Sequence, residues 1–119
     1  MDNCEFEILF NGKEGICTRC KGCGNMHVGY GNFMLAFSPE NFSAFVQDMD
    51  NTYQSRNVAG EDRLVKNIFV KTPAKEVTLL FCLQEMKAFV QFLRKIESIY
   101  LVKKLATEVI NNIDCAAMN

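Results

Sequence analysis

The sequence predicts an α+β domain: a mainly antiparallel sheet of four to five strands with two helices on one face, the second helix long. Three observations predict it. Short runs such as Phe6, Ile8 and Phe10 alternate with polar residues, the period of a half-buried strand. Elsewhere the apolar period becomes helical, at Phe42, Phe45, Val46 and Met49 and again after Leu83. Finally, a strand-then-helix unit recurs. LAFSPENFSAFVQ at 35–47 and LLFCLQEMKAFVQ at 79–91 share six of 13 positions, where average residue usage gives about one. Phe42, Phe45, Val46 and Met49 fall on Met86, Phe89, Val90 and Leu93, so the apolar stripe carries over and suggests a duplicated unit. Phe37, Phe45, Val46, Phe81, Phe89 and Val90 are then expected in one core.

Taken in order, Glu5 to Phe10 predicts a strand with Phe6, Ile8 and Phe10 facing inward, closed by the turn signal Asn11-Gly12. Ile16 to Cys23, rich in Cys, Gly and Lys, reads as a loop or knuckle. Met26, Val28 and Tyr30 have one parity and Phe33, Leu35 and Phe37 the other, so a turn or bulge must lie at Gly29 to Asn32. Ser38-Pro39-Glu40 supplies an N-cap hydroxyl, a proline at the first helical position and a carboxylate at the positive helix end. Residues 50–64 are mostly polar and predict a connecting loop. Val65 to Val70 and Glu76 to Phe81 predict a second hairpin around Thr72-Pro73-Ala74. Leu83 to Asn111 holds neither proline nor glycine, the longest helical signal in the chain.

A chain of 119 residues fits one domain, residues 1–119, and 49% apolar with 23% charged residues supports a packed core. The net charge of -1, with 13 basic residues interleaved among acidic ones, argues against a nucleic-acid surface. No apolar run approaches the roughly 18 residues of a membrane span. The opening MDNCEFEILF lacks the basic start of a secretory signal, so the expected location is cytoplasmic, and the six cysteines are expected as thiols.

Cys17-x2-Cys20-x2-Cys23-x3-His27 is the segment that points to chemistry. Thiolates and an imidazole at this spacing can surround zinc, and Gly22 and Gly24 permit a tight knuckle. A second C-x2-C pair is missing, since only Cys4, Cys82 and Cys115 remain. If Met26 to Val28 is a strand, His27 turns away from the loop and the site needs Cys4 or a residue of a second chain. Arg19 and Lys21 beside Cys20 leave a thiol-redox reading open. The other reading of these residues is reduced thiols with no ligand. Neither a catalytic triad order nor a phosphate loop occurs.

The order of features, Cys20-x2-Cys23, then HVGYGNFMLAFSPENFSAF, then a hairpin ending EVTLLF and a helix, resembles a family of short uncharacterised bacterial proteins classed as a domain of unknown function. That family carries a Cys pair, a YGN- or FGN-like strand and a Ser-x-Glu-x-Phe helix start, and the resemblance implies no activity. The sequence therefore points to a non-enzymatic intracellular protein-interaction domain, either without a cofactor or with a structural zinc ion held by Cys17, Cys20, Cys23 and His27. The alternative is a thiol-redox or metal-dependent enzyme centred on Cys20 and Cys23. A second apolar stripe on the long helix, Ile99, Val102, Ala106, Val109 and Ile113, predicts a homodimer through the C-terminal segment.

Overall fold

A computed structural model describes residues 5–117, with side chains through residue 110. The elements are β1 (Phe6–Asn11), β2 (Gly15–Cys20), β3 (Met26–Tyr30), β4 (Phe33–Phe37), α1 (Pro39–Val58), β5 (Ile68–Lys71), β6 (Thr78–Phe81) and α2 (Leu83–Ala117). Among the described residues β1 to β4 form one antiparallel sheet in chain order, and β5 and β6 form a separate antiparallel pair. The α+β class holds, with six strands divided four and two.

Local chemistry accounts for the junctions. Gly31, with φ of 59°, stands at the first position of the two-residue β3–β4 turn, where a hairpin favours glycine. The turn sets Met26, Val28 and Tyr30 opposite Phe37, Leu35 and Phe33, so the two parities meet on one face. The Ser38 hydroxyl accepts from the Asn41 amide at 3.2 Å and starts α1 with Pro39 in its first turn.

The structure corrects four expectations. In β1 Phe10 packs inward against Phe92 as expected, but the most buried residue is Leu9, 6% exposed, whereas Phe6 and Ile8 are 56% and 58% exposed. The register slips between Ile8 and Phe10, and the extra residue reverses the alternation that a period-two reading assumes. Gly15–Cys20 is a strand rather than a loop, because it pairs on both sides, with β1 and β3; pairing overrides weak intrinsic preference. Gly15 allows that fit, since a side chain there would collide with the Gly29 carbonyl and the Phe92 ring. The polar stretch after Asp50 continues α1 to Val58, linked along its surface by Gln47–Asn51 and Gln54–Asp50 bonds. The second hairpin is shorter than expected, beginning at Ile68 and ending at Phe81.

Both helices cover the same sheet face. Phe33 and Phe37 share a parity on β4; Phe37 meets Phe42 and Phe45 of α1, and Phe33 meets Phe89 of α2. Phe89 also touches Tyr30, Phe45 and Phe81, joining β3, α1 and β6. Phe37, Val46, Phe81, Phe89 and Val90 lie in one core cluster, with Phe45 packed at its margin. Across the helix pair, Arg94 donates from Nε and an Nη to Asp50 Oδ2, at 3.0 and 2.6 Å, and from its other Nη to Glu97 at 2.8 Å. That guanidinium holds the Asp50 carboxyl below the ordinary carboxylate range.

The last helix is continuous, 35 residues, or about 52 Å at 1.5 Å per residue. Among the described residues Ile96 and Tyr100 are its last buried side chains. The helix then outruns the body, and the long dimension reaches 61 Å against 34 and 26 Å across. None of the helices, among the described residues, is long and apolar enough to cross a membrane.

Phe89→Ala should destabilise the fold by about 3 to 5 kcal/mol, because it opens the point where five elements meet. Chemical denaturation checks this. A cost under about 1 kcal/mol, the range of well-tolerated core swaps, would show that the ring is not central.

Candidate functional site

The knuckle begins where β2 ends. The Cys20 amide donates to the Asn25 carbonyl at 2.8 Å, and the Gly24 amide donates back to the Cys20 carbonyl at 2.8 Å. Gly24 takes the left-handed conformation, φ 82°. The Cys23 amide points at Cys20 Sγ, 3.5 Å away, and Lys21 donates to the Glu5 carbonyl at 2.7 Å. Cys20 is buried and Cys23 exposed.

The four residues expected as ligands are not gathered together. Successive strand side chains alternate faces, so an x2 interval within a strand puts its two ends on opposite sides. Cys17 pairs with Val28 and points into the core, whereas Thr18 pairs with His27 on the outer face. His27 sits there against the Phe6 ring at 5.6 Å, its Nδ1 buried without a hydrogen-bond partner. Among the described residues no group of three or more His, Cys, Asp or Glu is placed to hold a metal ion. Cys4 lies outside the described residues, as does the Cys115 side chain. Cys20 and Cys23 are the pair that the knuckle does bring together.

Burial pushes the Cys17 thiol up to about 12, so the protonated form is favoured at that position. At the sheet end next to the knuckle, Arg19 pairs with Glu7 and lies over the Tyr100 ring at 5.8 Å. Lys103 approaches the same Glu7 at 3.8 Å. These contacts fix α2 where it leaves the body.

A second site carries no sequence motif. A groove of about 770 Å³ is lined by Tyr30 to Phe33 at the β3–β4 turn, by all four residues of β6, by Leu64 and Lys66, and by the start of α2. Its size is that of ligand pockets in general. Glu85 caps α2 from the groove wall: Oε1 accepts from the Cys82 amide at 2.9 Å and Oε2 from Lys66 Nζ at 2.9 Å. Both bonds hold its carboxyl below the ordinary range. Burial, with the Glu14 and Glu85 charges, raises the Tyr30 hydroxyl. Only the Gly31-Asn32 turn signal pointed to this region in the sequence; the groove itself comes from packing between distant elements.

Against known families, the chain matches the model of the Family of unknown function (DUF6686) over residues 1–112. The chain belongs to that family. No curated protein and no solved structure matches it.

Alkylation of native protein near pH 8 should modify Cys23 readily and Cys17 only after denaturation, read by peptide mass. The raised Cys17 value means that folding favours the protonated thiol. Its contribution to stability is full below the ordinary thiol value of 9.0 and is lost as pH rises towards about 12. Prompt native labelling of Cys17 would contradict its placement in the core.

Proposed function

We propose that this protein is a non-enzymatic, cytoplasmic interaction domain that works as a homodimer joined through the C-terminal part of α2. One observation carries the proposal. Beyond Tyr100 the helix exposes Leu101, Val102, Leu105, Val109 and Ile110. Val102, Leu105, Ala106 and Val109 stand at i, i+3, i+4 and i+7, one face of a helix. Burying a large aliphatic side chain contributes about 1.5 to 3 kcal/mol, so this stripe gains by finding a cover. A second copy offers the same surface about a two-fold axis. Of the expected stripe, Ile99 already packs against the body, and the Ile113 side chain lies outside the described residues.

Sedimentation velocity tests this. Wild type should run as a dimer at micromolar concentration, and Leu105→Glu with Val109→Glu should run as a folded monomer whose melting temperature, unlike that of the wild type, does not rise with concentration. A monomeric wild type would overturn the dimer.

A second reading, structural zinc at Cys20 and Cys23, draws on the turn that brings the Cys23 amide to 3.5 Å from Cys20 Sγ, the kind of tight C-x2-C knuckle from which two sulfurs can reach one ion. Remaining ligands would come from Cys4 or a second chain. Untagged protein grown with zinc should then hold stoichiometric metal. Cys20→Ser with Cys23→Ser should lose the metal and melt at lower temperature; metal-free wild type would reject zinc.

A further inference from the structure

We infer that the groove beside β6 takes an extended peptide segment of a partner protein, apolar at alternate positions and carrying an acidic residue, which adds as a strand to the free edge of β6. The site is separate from the α2 stripe, and the inference stands whether or not the chain dimerises.

The placement follows from strand geometry. Side chains of a strand alternate faces, so a groove lying on one face of β6 would meet every second residue. This groove meets Thr78, Leu79, Leu80 and Phe81 in succession, and no residue of β5 lines it. It therefore runs along an edge of β6, the edge away from β5. Among the described residues β6 pairs with β5 alone. Its outward amides and carbonyls have no strand beside them, which makes them a template for another.

The same geometry selects the occupant. A small apolar ligand pressed against that edge would bury backbone donors and acceptors unpaired, at about 1 to 3 kcal/mol for each group. The backbone of an extended peptide satisfies them instead, and its alternate side chains enter the pocket, the usual logic of strand addition. Phe33, Leu64 and Phe81 among the lining residues suit apolar side chains.

Charge sets the remaining feature. Both Glu85 oxygens are engaged, one by the Cys82 amide and one by Lys66. Among the described residues Lys66 has one carboxylate partner, its side chain is 53% exposed, and an ammonium carries three donors. A second carboxylate finds donors there beside the positive end of α2, which lines the groove, whereas an incoming cation would have to approach Lys66 and that same helix end.

The test is selection from a random heptapeptide library on the full chain, followed by amide-shift mapping with the enriched peptide. Enrichment of alternating apolar residues with Asp or Glu is expected, with shifts at residues 78–81 and Asn32. N-methylating alternate peptide amides should weaken binding at least about tenfold, since two lost hydrogen bonds of about 1 kcal/mol each exceed the 1.4 kcal/mol of one decade. Lys66→Ala should weaken the acidic peptide several-fold and leave its Gln analogue unchanged. Four results would each overturn the inference: no enrichment; shifts confined to the Phe6 and Ile8 face or to α2 beyond Tyr100; equal binding of the N-methylated peptide, which would mark a small-ligand pocket; or concentration-dependent shifts at 78–81 without peptide, which would mark a second copy as occupant.

Discussion

The ring of Phe89 is fully buried and touches Tyr30, Phe33, Phe45 and Phe81, so both sheets and both helices are held through one side chain. Edge and tilted aromatic contacts of this kind add about 0.5 to 1.5 kcal/mol each beyond area burial. Their value here is in geometry. The four-stranded sheet and the short β5–β6 pair share no backbone ladder among the described residues, and this cluster is what sets one against the other. The groove beside β6 is the space left where the two sheets approach without joining.

Both helices cover the same side of the sheet, and among the described residues the other side stays open. Phe6, Ile8 and Met34 are exposed there, with His27 beside Phe6. At the knuckle end, Arg19, Glu7, Tyr100 and Lys103 anchor α2 as it leaves its support. The inner half of α2 thus packs within the fold, and residues 101–110 beyond it are exposed. The exposed apolar stripe on this projecting helix is the surface on which the proposed association rests.

Much of this was legible in the residues. The cap at Ser38, the stripe of α1, the parity change resolved at Gly31 and the continuity of α2 all follow from local rules. At the positions that recur in sequence in 35–47 and 79–91, Phe37 meets Phe45 at 4.9 Å and Phe81 meets Phe89 at 5.3 Å. What was not legible depends on pairing. The slip in β1 reversed Phe6 and Ile8. Strand β2 exists because neighbours on both sides complete it, and once it is a strand, Cys17 and Cys20 take opposite faces. The polar residues after Asp50 looked like a loop because a helix face turned to water carries no apolar signal. The family match extends the resemblance seen from about Cys20 to Leu93 to residues 1–112 and adds no activity to it.

The division of α2 into a fold half and an interaction half is tested most directly by amide hydrogen exchange along the helix at several protein concentrations. Residues 83–100 should exchange slowly at every concentration, whereas 101–110 should gain protection as concentration rises through the dimer range. Exchange of 101–110 that is fast and independent of concentration would contradict the account, as would protection there equal to that of 83–100 in dilute protein.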